Sequence, residues 1–205
     1  MATDPSTALP DQRTTASLEG NAVAMLRYIR DTMETAQGFT SVSGRGCIVM
    51  GGIALAATAF AAVPQLADYW LIIWVTSALV AVGLNLPLMS AKAKAQGSSL
   101  QHQVARRFFL TLTPPIMMGA VLTAALSDST EREIIVGIWL LSYGAALATS
   151  GVFSIVPVTL AGLAFMALGA ITVFLPAGWA LPMLAVGFGL FHFALGMVIV
   201  KRFGG

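Results

Sequence analysis

Leu181-Pro182-Met183-Leu184-Ala185-Val186-Gly187-Phe188-Gly189-Leu190-Phe191-His192-Phe193-Ala194-Leu195-Gly196-Met197-Val198-Ile199-Val200 contains no Asp, Glu, Lys or Arg and stops against Lys201-Arg202. At 1.5 Å per residue, such a stretch matches the roughly 30 Å hydrocarbon layer that about 20 helical residues are needed to cross. Five more uncharged apolar stretches precede it: 47–63, 69–89, 108–126, 134–148 and 156–175. The chain of 205 residues is 57% hydrophobic and 10% charged, with a mean hydropathy of +0.83. A soluble domain usually carries roughly 25% charged residues, so this composition calls for lipid as well as protein to cover its apolar surface. The expected fold is all-α: a polytopic membrane protein with a bundle of six transmembrane helices at 46–205.

The spans of 47–63 and 134–148 are the short ones, and the junction Ser150-Gly151-Val152-Phe153 leaves the inner boundary of the latter open. Basic residues alternate between gaps. Arg13, Arg27, Arg30 and Arg45 precede the first span, Lys92, Lys94, Arg106 and Arg107 fill the second gap, and Lys201 and Arg202 follow the sixth. Only Arg132 lies on the other face, together with Asp68, Asp128, Glu131 and Glu133. Because Lys and Arg are retained on the cytoplasmic side, both termini are expected in the cytoplasm. The net charge of +2 is then an orientation signal and implies no nucleic-acid partner, which would need a clustered basic face.

Residues 1–16 read as a disordered tail, and 17–45 as a cytoplasmic amphipathic helix with its linker, capped by Ser17 and stopped by Gly38. Leu18, Ala22, Met25, Leu26, Ile29, Met33 and Ala36 recur at helical spacing, while Arg27 with Asp31 and Arg30 with Glu34 neutralise each other on the opposite face. A helix held by anionic lipid needs a basic surplus, so docking on the protein's own inner face, on a protein partner or on a second copy is favoured over lying on the bilayer. With about 45 mostly polar residues ahead of it, the first span reads as an uncleaved signal anchor. The single cysteine, Cys47, allows no intrachain disulfide and no Cys-based metal site.

The stretch Ile29-Arg30-Asp31-Thr32-Met33-Glu34-Thr35-Ala36-Gln37-Gly38-Phe39-Thr40-Ser41-Val42, leading into a glycine-rich first span, resembles a segment found in uncharacterised bacterial multi-pass membrane proteins. The resemblance covers the tail helix and first span, implies a bacterial inner membrane, and carries no activity with it.

Glycines repeat at intervals of seven: Gly137, Gly144 and Gly151; Gly162 and Gly169; Gly189 and Gly196; with Thr76, Gly83 and Ser90 as a fourth small set. Seven residues are about two helical turns, so each set lies along one face where a neighbouring backbone can approach. Pro114 and Pro115 remove the usual donors to the carbonyls of Leu110 and Thr111, so the third span should bend or open and is the best sequence pointer to a conduit. A static kink closed by Thr111, Thr113 or water is the favoured alternative. Pro87 and Pro157 act nearer span ends.

His192 is the ionisable side chain inside the spans, about 16 Å from the outer start of the sixth. Haem ligation is disfavoured because His102 lies in the inner loop, at a different depth. A Ser in the fourth span and a His in the sixth invite comparison with rhomboid-type intramembrane proteases, with Ser150-Gly151 first resembling their nucleophile. Depth argues against Ser150, and Ser142, nearer His192 in level, lacks the preceding glycine pattern. Hydrogen bonding of His192 to Ser142, Tyr143 or a backbone carbonyl is favoured. Asn85 with Thr149 and Ser150 forms an expected inner polar cluster. Tyr69, Trp70, Trp74, Trp139 and Trp179 read as an aromatic belt needing no ligand. No phosphate loop, dinucleotide fingerprint or zinc spacing occurs, so no catalytic residue, cofactor or metal is assigned. A non-catalytic subunit or assembly protein is the leading expectation, ahead of a small transporter or channel and of an enzyme or haem protein built on His192.

Overall fold

The structure, a computed structural model, describes residues 21–26, 28–29, 39–97, 99–100, 103–129 and 131–204. It divides into two units, residues 1–38 and 39–205. In the first, residues 21–26 and 28–29 are helical and exposed. Ser17, Arg27, Asp31, Arg30, Glu34 and Gly38, on which the predicted cap, stop and ion pairs rest, lie outside the described residues, as does His102.

The second unit is built from helices: α1 (Gly44–Ala61), a short 3₁₀ turn (Pro64–Tyr69), α2 (Trp70–Ala95), α3 (Gln103–Leu126), α4 (Arg132–Gly151), α5 (Val156–Thr172) and α6 (Ala180–Phe203). Five are long and apolar enough to cross a membrane, and α5, with 17 residues, is shorter. The helix over 47–63 is short as expected, with 18 residues, whereas the expectation that 134–148 is the other short span is corrected here. α4 gains Arg132 and Glu133 at its start and reaches Gly151, whereas α5 stops at Thr172, four residues before Pro176, which cannot continue a helix.

Local chemistry sets the helix ends. The Ser43 hydroxyl accepts the Gly46 N–H at 3.0 Å and caps α1. Pro157 occupies the first turn of α5, where its missing N–H costs nothing. The start of α6 is capped from another helix: buried Glu133 accepts from Gly178 N–H at 2.8 Å and Ala180 N–H at 3.2 Å, with Gly178 at φ 101° turning the chain into the helix.

The glycine repeats decide which helices pair. Gly137, Gly144 and Gly151 of α4 face Gly169, Gly162 and Thr159 of α5, and a Cβ on Gly144 would stand 2.6 Å from Met166 N and 2.7 Å from Gly162 O. Gly189 and Gly196 of α6 meet α1, where Gly51 and Gly44 supply the complementary gaps; a Cβ on Gly196 would lie 2.6 Å from Gly44 O. The fourth set forms no such seam, because Gly83 has open space where a side chain would be and Thr76 is exposed. The bundle therefore reads α2 on α1, α1 on α6, α6 on α4 and α5, and α3 on α4. Among the described residues α2 and α3, though consecutive, do not pack along each other.

The helices alternate in direction between two ends. At one end the Lys92 ammonium donates to Val42 O at 3.1 Å and Gly204 O at 2.6 Å, Ser41 Oγ bonds Gln96 at 3.0 Å, and Phe39 N–H donates to Phe153 O at 2.6 Å. At the other, Arg132 donates to Ala67 O at 3.0 Å and stands 5.6 Å over the Trp70 ring, beside the Glu133 cap.

Candidate functional site

The interior polar focus is His192 on α6. Residues 185–191 wind as a wider, π-type stretch, and at its end the His192 backbone N–H reaches Gly189 O. The Phe188 carbonyl then lies 2.9 Å from the ring Nδ1. A carbonyl only accepts, so Nδ1 carries the proton; Nε2 is bare and accepts the hydroxyl proton of Tyr143, 2.6 Å away. Both ring nitrogens of a neutral imidazole are thereby used. The pair sits in an aromatic nest: Phe188 stacks on His192 at 6.0 Å, and Phe165, fully buried, meets the Tyr143 and His192 rings edge-on at 5.0 and 5.4 Å.

The structure does not join Ser142 to His192. Ser142 is 1% exposed and its Oγ has no hydrogen-bond partner among the described residues; it lies where α4 presses on Gly119 of α3. A haem iron would have to displace Tyr143 or Phe188 O to reach the imidazole. Among the described residues no three His, Cys, Asp or Glu side chains gather as a metal would require. Cys47 is buried near the start of α1.

The expected inner polar cluster is not assembled. Asn85 lies against Gly46, with its Nδ2 donating weakly to Met89 Sδ at 3.6 Å and its Oδ1 unpaired among the described residues; Ser150 Oγ bonds Leu147 O, and Thr149 Oγ1 returns its proton to Ala145 O at 2.8 Å. The reason is the pairing order: α2 packs on α1, while α4 is occupied by α3 and α5. Pro114 and Pro115 lie within an α3 that continues through them. The carbonyl of Thr111 that they release lies 3.4 Å from Thr149 Oγ1 of the neighbouring helix, whose proton is committed to the shorter bond within α4.

In front of the His192–Tyr143 pair, where α2 and α3 do not pack along each other, lies a cavity of about 500 Å³. It is bounded on α1 by Met50, Ile53 and Ala54, on α2 from Trp70 to Val82, on α3 from Ile116 to Ala124 with Ser127 beyond, and behind by Tyr143 of α4 and His192 of α6. Pro114 and Pro115 are not among its walls. Trp70, Trp74 and Trp139 line it instead of forming a simple belt, whereas Tyr69 at 61% and Trp179 at 47% exposure fit a belt position. The Trp74 indole N–H is buried without an acceptor. Four residues carried more than the sequence indicated. Lys92 and Glu133, read as flank charges, are buried ligands of backbone groups, and the spacing of Gly44 and Gly51 by seven was the available sign that α1 receives α6.

Comparison with protein-family models, with curated proteins and with solved structures finds no match to this chain.

Proposed function

We propose that the chain is a bacterial inner-membrane protein of six spans with both termini cytoplasmic, acting as a non-catalytic subunit or assembly protein. The observation that carries this reading is that the deepest polar group, His192, spends both ring nitrogens on its own bundle. Threonines behave alike: Thr58, Thr76, Thr113, Thr123 and Thr172 return their hydroxyl protons to carbonyls four residues back. Polar groups used in this way serve the bundle's own backbone and helix contacts.

The topology is supported by the Lys92 ammonium, which draws residues preceding α1 and following α6 to one end of the bundle, as an even number of crossings requires. Among the described residues of this unit, Arg45, Lys92, Lys94, Arg106, Arg107, Lys201 and Arg202 belong to the flanks on that side and Arg132 to the other. Partner docking is supported by the tail helix, whose Val23, Met25, Leu26 and Ile29 are 43–66% exposed. Native mass spectrometry of protein extracted from its host membrane tests the reading. A stoichiometric foreign subunit supports it, and a bare chain with catalytic turnover overturns it. A C-terminal reporter active only outside the cytoplasm would reverse the topology.

A conduit between α2 and α3 is the second reading, favoured by the cavity itself. Solute flux into proteoliposomes that is abolished by bulky residues at Ala78 and Ala120 would put this reading first.

A further inference from the structure

We propose that the cavity beside α2 and α3 holds one acyl chain of a bilayer lipid, entering sideways and recognised as an uncharged chain. The inference rests on the membrane placement proposed above and does not depend on which protein partner is bound.

Shape is the first argument. The walls run from Trp70 to Val82 on α2 and from Ile116 to Ala124 on α3, with Ser127 just past its end. At 1.5 Å per residue these are about 18 and 12 Å, about half of a roughly 30 Å hydrocarbon layer and so comparable with a single leaflet's chain. The 500 Å³ volume falls in the roughly 300–1,000 Å³ range of pockets that take small apolar ligands. An 18 Å length of helix about 10 Å across would occupy on the order of 1,400 Å³, so a partner helix would cover the cleft without filling it.

Chemistry is the second. No Asp, Glu, Lys or Arg lines the cavity, and His192 is neutral and paired, so the lining complements an uncharged chain. The cavity lies where α2 and α3 do not pack along each other, so a chain can enter from the lipid without unfolding the bundle.

The test is native mass spectrometry of the full chain, delipidated in mild detergent and titrated with palmitoyl-oleoyl phosphatidylcholine. The expected result is one retained lipid per chain. Ala78→Phe and Ala120→Phe, both exposed on the cavity wall, should lower retention at least tenfold, and Ala125→Phe, exposed but outside the cavity, should leave it unchanged. An ether-linked lipid of the same chains should bind as well as the ester lipid, because the chain and not the carbonyl is held. Phosphatidylglycerol of the same chains should bind as well as phosphatidylcholine. Retention equal in all variants, or none in the wild type, overturns the proposal, as does a different hydrophobic molecule of non-lipid mass in the native protein. Thermal melts of each variant separate loss of the site from loss of the fold. Protease protection in membranes reports separately on the membrane placement.

Discussion

α4 and α5 are joined by three glycines on one side and two on the other, whereas α2 carries an equally regular small-residue row whose central Gly83 meets nothing. The contrast teaches that a seven-residue repeat specifies a face and leaves the presence of a partner to the rest of the chain. Where two such faces meet, backbones close to within a methyl group of each other, and dispersion together with weak Cα–H contacts holds them. Where only one exists, as at Gly83, the helix stays peripheral and a cleft remains beside it.

The sharpest way to break the comparison is Gly144→Leu. Its side chain must displace Met166 and the Gly162 carbonyl, and overpacking of this kind costs about 1–3 kcal/mol or more, read as a fall in thermal midpoint in detergent. Next comes Glu133→Ala at the start of the same α4, which leaves the Gly178 and Ala180 N–H groups unpaired and should cost about 1–3 kcal/mol by the same measurement. Tyr143→Phe removes one interhelical bond to His192 and should cost about 1 kcal/mol, near the usual value for polar contacts in membranes. Gly83→Leu is the counterpart of the first variant and should change stability by less than about 0.5 kcal/mol. A large loss there would mean that α2 is covered in the detergent-solubilised protein, erasing the contrast.

Much of the architecture is legible in the sequence because it follows from uncharged length and from residue size. The six apolar stretches correspond to six helices, and the repeats at Gly137, Gly162 and Gly189 lie at helix contacts. The candidate site is legible only in part. His192 and Tyr143 stand out as polar residues in apolar surroundings, and the structure brings them together. The opposite fates of Ser142 and Asn85 depend on helix neighbours that spacing does not encode. Lys92 and Glu133 were obscured for another reason. A charge near a helix end can face water or turn inward to bare backbone groups, and the outcome depends on a loop more than 40 residues away.

The glycine contact between α1 and α6 has a consequence in time. Gly44 must await Gly196, 152 residues further along, and at synthesis rates of about 5–20 residues per second that is about 8–30 s. α4 and α5, joined by a four-residue turn, can close within moments of leaving the ribosome. The newborn chain thus carries α1 and α2 paired only with each other for much of its production, an interval in which the glycine face of α1 stands uncovered.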